Sequence, residues 1–216
     1  MNTSQESLPL WRAPTTHSRF FKLRGFMGGL LLLPALILIS FSHPIVEVDS
    51  PWDEVIESTG WIFLACYVTC RLWATLYVGG RKDMQLQTTG IYSVTRNPLY
   101  LGSTCFALSA ACFFESPLVF GLTLALLAYY LVRVIPSEEA VLRDRFPETF
   151  AEYAKRTPKF FPRLTTYRPA GDVTVYMTPL KREARRLWGA ALLPILGDLF
   201  EAIRTSPHWP HLFHWL

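Results

Sequence analysis

The sequence predicts an all-α integral membrane protein, a small bundle of about four membrane-spanning helices. Its composition is the first reason: of 216 residues, 50% are hydrophobic and only 18% are charged, with a mean hydropathy of +0.22. An ordinary soluble domain is less apolar. The second reason is that four apolar stretches meet or approach the ~20 residues needed to cross a bilayer. In lipid each must be helical, because a helix satisfies its own backbone polar groups.

The predicted spans follow one another closely in the first two thirds of the chain. Only Glu115 and Ser116 separate the third from the fourth, which predicts a tight antiparallel hairpin. The run before the first span is mostly polar and has no small-residue cleavage site, so we expect a retained segment and not a signal peptide. The expected parts are an arm (1–24), a membrane core (25–163, with spans at 25–41, 58–80, 98–114 and 117–135) and a C-terminal extension (164–216).

The charges flanking the first spans predict the orientation. The loop from Ser42 to Glu57 contains acidic residues and neither Lys nor Arg, whereas the arm is basic. By the positive-inside rule the N-terminus lies in the cytosol. Four crossings then place the 81–97 connection and everything after Arg133 on the cytosolic side. The basic residues of the arm are Arg12, Arg19, Lys22 and Arg24.

Several functional classes are disfavoured. The net charge of +4 comes without an aromatic-interleaved basic stripe, so no nucleic-acid partner is expected. The four cysteines lie in apolar segments without a CxxC spacing, which favours buried thiols over disulfides or a metal site. No Walker loop, HExxH, GxSxG or GxGxxG motif is present in the sequence.

Two polar motifs fall on the predicted cytosolic side. The first, TTGIYSVTRNPLYLG, spans 88–102, and the second, IPSEEAVLRDRFPETFAEYAKRTPKFFPRL, spans 135–164. Pro136 and Ser137 predict a helix start, with Glu138 and Glu139 in its first turn. Each piece has a simpler interpretation: Glu139 and Arg143 as a surface i,i+4 pair, and Tyr153, Phe160 and Phe161 as an interfacial aromatic belt.

Together, GIYSVTRNPLYLG, EEAVLRDRF and FAEYAKRTPKFFP resemble the membrane methyltransferases that include isoprenylcysteine carboxyl methyltransferases and phospholipid N-methyltransferases. The similarity covers residues 88–162 and implies a helical membrane fold that binds S-adenosylmethionine on the cytosolic side, closed by 136–163. The family motif reads Arg-His-Pro, where this chain has Arg96, Asn97 and Pro98. A role that needs a titrating imidazole therefore does not transfer, although an amide still forms hydrogen bonds.

The resemblance implies which residues form the site. Arg96, Asn97 and Glu139 are expected to be catalytic, and no metal is expected. Carboxylates would accept from the cofactor's amino group or ribose, glycines would permit close approach, and tyrosines would form walls. The expected cofactor-binding set is Gly90, Tyr92, Arg96, Asn97, Pro98, Tyr100, Gly102, Glu138, Glu139, Tyr153, Pro158 and Phe160.

Three arginines have alternative interpretations. Arg96 could hold a carboxylate through its planar fork or extend toward headgroups. Arg71, inside the second span, could bind a substrate carboxylate, form an ion pair or extend toward headgroups. Arg133 could be an interface anchor or a substrate contact. Asn97 is also a plausible helix cap before Pro98.

The predicted function is S-adenosylmethionine-dependent methyl transfer to a lipophilic acceptor, an isoprenylcysteine-type carboxylate or a lipid headgroup. In-line methyl transfer depends mainly on positioning and water exclusion. A carboxylate or thiol is slightly favoured, since an ammonium must first lose a proton, which Glu139 could accept. The expected partners are membrane lipids and a lipophilic or lipidated substrate. The alternatives are an NADPH-dependent membrane sterol reductase and a non-catalytic scaffold.

The C-terminal extension is expected to lie at the membrane surface. Leu187 to Ile203 is too short and interrupted for a fifth crossing, and it follows the basic cluster KREARR, so an interfacial amphipathic helix is predicted. In the terminal HWPHLFHWL, the histidines at 208, 211 and 214 could bind a metal, but the tryptophans favour an interface anchor. The membrane would be the plasma or inner membrane in a bacterium and the endoplasmic reticulum in a eukaryote.

Overall fold

The computed structural model describes residues 34–42, 44–79 and 85–213. The basic arm and most of the predicted first span lie outside these residues. The chain divides into residues 1–38 and 39–216. In the first unit residues 34–38 are helical, and the second contains every element named below. The regular structure of the described residues is helical, which confirms the all-α prediction; one isolated parallel bridge joins Ser42 to Phe213.

Helix α1, Pro51–Val78, has 28 residues. The Ser50 hydroxyl accepts a hydrogen bond from the Asp53 backbone N–H at 3.3 Å, and Pro51 occupies the first turn. These are strong start signals, because a serine cap satisfies one backbone donor and proline has no N–H to leave unpaired. The helix therefore starts seven residues before the predicted position 58, and the acidic loop residues 53–57 belong to it.

Helix α2, Ile91–Val94, and helix α3, Pro98–Phe113, contain the first motif. Helix α3 runs antiparallel to α1. A side chain at Gly60 would lie 3.1 Å from Cys112, near the end of α3, and one at Gly102 would lie 3.1 Å from Arg71. The start of α3 is therefore beside the second half of α1. Glycine at both crossings lets the two helices approach closely.

Helix α4, Pro117–Tyr129, continues through a single wide turn, Tyr130–Val134, into helix α5, Ile135–Arg145. Pro136 therefore does not start a helix, contrary to the prediction. In the wide turn the Ile135 N–H reaches back five residues to the Tyr130 carbonyl. This i→i+5 bonding absorbs the disturbance that a proline causes within a helix.

Two of these helices are long and apolar enough to cross a membrane: α1 and the continuous 29-residue segment Pro117–Arg145. Only 11% and 22% of their most apolar windows are buried, unlike the core helices of a soluble protein. Helix α3 is apolar but shorter. A short turn joins α3 to α4, and the Thr123 hydroxyl donates to the Ala107 carbonyl at 3.2 Å. These two helices favour a membrane protein, and the number of four spans stays a prediction.

The second motif and the extension form the remaining helices. They are α6, Pro147–Arg156; a 3-10 turn, Leu164–Thr166; α7, Met177–Ala190; and α8, Leu193–Thr205. The single helix predicted for 187–203 is thus two helices, because the chain turns at Ala191 and Leu192 ahead of Pro194.

Helices α7 and α8 follow the bundle from one end to the other. Near the end of α1, a side chain at Gly79 would lie 3.2 Å from Pro179 at the start of α7. At the other end, a side chain at Gly197 would lie 2.7 Å from the Phe113 carbonyl, and Arg204 Nη1 donates to the Phe114 carbonyl at 2.9 Å. The extension therefore packs along the helices, and its interfacial position stays a prediction.

The end of the bundle near Phe114 carries a small acidic cavity of about 130 Å³. The pKa of Glu115 is raised to about 7, mainly because the carboxyl is buried. A hydrogen bond with Asp53 raises this pKa further. Burial also lowers the pKa of the Arg204 guanidinium. The ionisable residues lining this cavity are Asp49, Asp53, Glu57, Glu115, Asp198, Glu201 and Arg204, with the thiol of Cys112 beside them.

Candidate active site

The first motif begins at a turn that only glycine fits. Gly90 has a φ of +59°, and a side chain there would lie 2.2 Å from the ring of Tyr77. Its N–H donates to the Arg168 carbonyl at 2.8 Å. A positive φ is rare for residues with a Cβ. The close approaches at Gly90 and Gly102 are therefore to the side chains of Tyr77 and Arg71, and their predicted contact with a cofactor stays a prediction.

Three side chains from the two motifs meet at the centre of the site. Asn97 Nδ2 donates to Glu139 Oε1 at 3.3 Å and to the Lys159 carbonyl at 2.9 Å. Arg96 Nε lies 3.1 Å from the same Glu139 oxygen. Its N–H direction misses that oxygen, so among the described residues the buried Nε has no hydrogen-bond acceptor. The Arg96–Asn97–Glu139 cluster thus pairs opposite charges and keeps one buried donor unsatisfied.

These contacts overturn three simpler interpretations. Glu139 is only 7% exposed and turns toward Arg96 and Asn97, so it is not part of a surface pair with Arg143. The Arg96 side chain is 12% exposed and does not extend toward headgroups. Asn97 precedes α3, but its side chain makes no capping hydrogen bond, since the amide is used within the cluster.

A second carboxylate lies beside the cluster. The Tyr100 hydroxyl donates to Glu138 Oε1 at 2.7 Å, and the ring of Tyr130 lies 5.0 Å from that of Tyr100. Tyr100 extends from α3 and Glu138 from α5, so this contact joins the same two segments as Asn97 and Glu139. Both adjacent glutamates of the second motif are therefore held by residues of the first.

Buried tyrosines and backbone bonds attach the second motif to the first. The Tyr153 hydroxyl donates to the Tyr92 carbonyl at 2.7 Å. Burial raises the pKa of both tyrosines, so both stay protonated and neither can serve as a base. The Arg96 N–H donates to the Pro158 carbonyl at 2.9 Å, and the Thr95 hydroxyl donates to the Phe160 carbonyl at 2.8 Å. Phe160 is buried, against the predicted interfacial belt, whereas the neighbouring Phe161 is 71% exposed.

Sequence reasoning missed several contributors. Phe150 is 1% exposed and lies below the guanidinium groups of Arg96 and Arg143, at 5.9 and 5.7 Å from their central carbons. Its three-residue spacing from Tyr153 on α6 could have indicated a shared buried face. Lys159 contributes only its carbonyl, which no side-chain pattern reveals.

The two predicted substrate arginines have different surroundings. Arg71 Nε lies 2.5 Å from Glu183 Oε1, and their side chains are 16% and 6% exposed. Arg71 is therefore in an ion pair with α7, the structural option among its predicted roles. The Arg133 side chain is exposed on the outside of the wide turn, and the structure does not bring it to the cluster. Among the described residues, no three His, Cys, Asp or Glu side chains are placed to hold a metal ion.

The chemical capability of the site follows from these groups. The cluster and the neighbouring Glu138 together present two carboxylates and one guanidinium, with the Asn97 amide and aromatic rings around them. Such a site can bind a ligand that carries both an ammonium and a carboxylate. Enclosure also excludes water, which favours transfer of a group to an acceptor over its loss to solvent.

Comparisons with known proteins indicate the family of the chain. The family model for phospholipid methyltransferases matches residues 55–149. The cobalt-zinc-cadmium resistance protein CzcN of Cupriavidus metallidurans is 36% identical over 83% of this chain and 85% of its own. The nickel-cobalt-cadmium resistance protein NccN of Alcaligenes xylosoxydans xylosoxydans is 31% identical over 78% of this chain and 79% of its own. No solved structure matches the chain.

Proposed function

Because the chain belongs to the phospholipid methyltransferase family of membrane methyltransferases, we propose that it transfers a methyl group from S-adenosylmethionine to a lipophilic acceptor in the membrane. The observation that carries this proposal is the meeting of Asn97 with Glu139, which lie 42 residues apart in sequence. Each is contributed by a motif typical of these enzymes.

The residues present fit S-adenosylmethionine. Bound there, it would supply an electrophilic methyl group on a sulfonium. The unsatisfied Arg96 Nε suits the ligand's carboxylate. Both contacts of Glu139 fall on Oε1, so its other oxygen suits the ligand's ammonium. Glu138, held by Tyr100, suits a ribose hydroxyl.

Each residue then has a definite task. Asn97 donates to Glu139 and holds it as an acceptor, while Phe150 supports the Arg96 guanidinium from below. The carbonyls of Pro158 and Phe160 hold the second motif over the first, which excludes water. The remaining requirement of in-line transfer is alignment of donor and acceptor, and alignment depends on this rigidity.

The acceptor we propose is an isoprenylcysteine-type carboxylate or a lipid headgroup. A carboxylate or thiolate reacts without losing a proton. An amine acceptor would need a base, and Glu139 is the carboxylate closest to the centre of the cluster. Helices α1 and α4 are apolar and little buried, so in a bilayer they would give such an acceptor a path to the site.

The test is transfer of labelled methyl from S-adenosylmethionine into the organic-extractable fraction by purified protein with its native lipids. Glu139→Gln and Arg96→Ala should each lower transfer about 100-fold, as loss of positioning groups does. Glu152→Gln, on an exposed side chain of α6, is the matched control and should keep normal activity.

Direct cofactor binding distinguishes the alternatives. S-adenosylmethionine binding without transfer would indicate a missing acceptor. Binding of NADPH in its place would support a reductase, and binding of neither would support a scaffold. Near-normal activity in both variants would remove Arg96 and Glu139 from the site.

A physiological role is suggested by the relatives, both named as metal resistance proteins. We propose that methyl transfer by this chain contributes to resistance to cobalt, zinc, cadmium or nickel. Expression of the wild type, but not of Glu139→Gln, should then restore growth of a sensitised host in those metals. Equal restoration by both would separate resistance from catalysis.

A further inference from the structure

A second cavity, of about 310 Å³, lies next to the candidate active site. It shares Tyr153 with that site, and none of Arg96, Asn97 and Glu139 lines it. The described lining residues are polar, with hydroxyl groups and two guanidinium groups. They are Thr88, Tyr153, Arg156, Thr157, Thr165, Thr166, Tyr167 and Arg168.

The charge of this cavity is one-sided. Arg156 and Arg168 line it, and of the described residues no carboxylate does. Glu152 lies 3.8 Å from Arg156, but these side chains are 75% and 50% exposed, so solvent screens the pair. Hydroxyl donors beside two guanidinium groups form a set that suits a phosphate oxyanion.

The wall of the cavity is held in place by the backbone. The Arg168 N–H donates to the Ser93 hydroxyl, and its carbonyl accepts from the Gly90 N–H, both at 2.8 Å. The Thr166 hydroxyl donates to the Ser93 carbonyl at 2.7 Å. The cavity is therefore formed before any ligand arrives, and its position is fixed relative to the first motif.

Its surroundings indicate a membrane surface. The ring of Tyr167 lies 6.0 Å from that of Trp73, in the last turns of the apolar helix α1. Next to the cavity along the chain, Phe161 and Leu164 are 71% and 79% exposed. Tryptophan and tyrosine concentrate at membrane–water interfaces, and exposed apolar side chains there insert among lipids.

We propose that this cavity binds the phosphate of an anionic membrane lipid. Arg156 and Arg168 hold the phosphate oxygens, and the hydroxyls of Thr88, Thr157 and Thr165 contribute donors. Phe161 and Leu164 contact the acyl chains. Basic pockets beside membrane helices are suited to such headgroups. The proposal concerns binding alone and does not depend on methyl transfer.

The test uses the full-length protein in detergent micelles titrated with phosphatidylglycerol, with retained lipid counted by native mass spectrometry. Arg156→Gln combined with Arg168→Gln should weaken retention at least about tenfold, the effect expected from losing charge-assisted hydrogen bonds. Lys155→Gln combined with Arg163→Gln removes the same charge from exposed neighbours outside the cavity and should change retention less than about twofold.

Folding should survive the double change, because Arg168 contributes to the structure through its backbone atoms. Thr165→Val, a nearly isosteric change in the cavity wall, is the second variant and should also weaken retention. Equal losses in the cavity and control variants would show general charge attraction and overturn the proposal. Unchanged retention in the cavity variants would overturn it too.

A competition arm distinguishes a lipid from a soluble source of phosphate. Glycerol phosphate in excess should not displace phosphatidylglycerol, since it lacks acyl chains for Phe161 and Leu164. Displacement at equal concentration would identify a soluble phosphate ester as the ligand and refute the lipid assignment.

Discussion

At the scale of single residues, Asn97 donates hydrogen bonds without gaining or losing a proton. Its Nδ2 group donates to a carbonyl and a carboxylate at once. Glu139 is buried and Lys159 is half-buried, and a third acceptor placed between them would have no proton to donate to either. The role of Asn97 in the site is therefore to donate hydrogen bonds, and not to act as an acid or a base.

Asn97→Asp should consequently be much more harmful than Asn97→His. The aspartate would face the Lys159 carbonyl and Glu139 with oxygens alone, at a cost of about 3 kcal/mol. That cost corresponds to a loss of roughly 100-fold if it appears in the transition state. The imidazole N–H can still donate to one acceptor.

The measurements for Asn97 are methyl transfer and the midpoint of thermal unfolding for both variants. Asn97→His should keep a substantial part of the methyl-transfer activity and of the thermal stability. An aspartate variant as stable and active as the histidine variant would contradict the donor role.

At the scale of elements, the ion pair of Arg71 and Glu183 joins α1 to α7. The same Arg71 side chain fills the space opposite Gly102 on α3. Three helices therefore meet at the Arg71 side chain: α3 packs against its aliphatic stem, and Glu183 of α7 pairs with its guanidinium. Arg186 contacts the other oxygen of Glu183 at 3.3 Å, but its side chain is 60% exposed and contributes little.

Glu183→Gln should destabilise the protein by about 3–5 kcal/mol, because it leaves the Arg71 charge buried without its partner. Arg71→Met combined with Glu183→Met should cost much less, since no charge is left unpaired. Unfolding of Arg71→Met, Glu183→Met and the variant with both changes completes a thermodynamic cycle. Additive losses in that cycle would mean that the two side chains do not interact.

The turn between α3 and α4 should make stability depend on pH. The folded pKa of Glu115, about 7, lies above its ordinary value of 4.5. The folded state therefore holds this proton more tightly, so its stabilising effect is complete below about pH 4.5 and is lost as the pH rises through 7. Asp53, Glu201 and Arg204 face the same cavity.

Glu115→Gln mimics the protonated carboxyl, so the thermal midpoint of this variant should change less with pH than that of the wild type. Thermal midpoints of wild type and variant between pH 5 and 8 are the measurement, with Glu148→Gln as the control. A wild-type midpoint that rises across that range relative to the variant would contradict the raised pKa.

At the scale of the whole molecule, the extension returns along the bundle. Helix α7 starts beside the end of α1, and α8 ends beside the acidic cavity at the opposite end. The two ends should therefore react differently with reagents that cannot cross a membrane. The candidate site and the terminal HWPH sequence belong to opposite ends.

Lys155→Cys and His208→Cys, each in a background without the native cysteines, provide the test. In sealed vesicles, an impermeant maleimide should label one position before lysis and the other only after it. Labelling of both cysteines before lysis would show that positions 155 and 208 lie on the same side of the membrane, so α7 and α8 do not carry the chain across it. Methyl transfer or thermal unfolding of each variant confirms that the background is intact.

Sequence reasoning reached the centre of the site but not its support. Arg96, Asn97 and Glu139 were identifiable because they belong to motifs with a recognised order and spacing. The partner of Arg71 was not, because Glu183 lies 112 residues away and its pairing depends on how α7 packs. The start of α1 was misplaced because hydropathy marks the apolar stretch, whereas the helix starts at its cap. Pro136 misled as a local start signal, because the helix continues through the wide turn Tyr130–Val134 into α5 without a break.

The wide turn Tyr130–Val134 also constrains the length of the chain. It adds one residue to the helical path, and each residue of an α-helix rotates the next by about 100°. Glu138 and Glu139 follow this turn, so the added residue sets the direction in which both point. A single-codon deletion within the turn would restore a regular helix and swing both carboxylates away from Asn97 and Tyr100. This stretch should therefore accept changes of side chain more readily than any change in residue number.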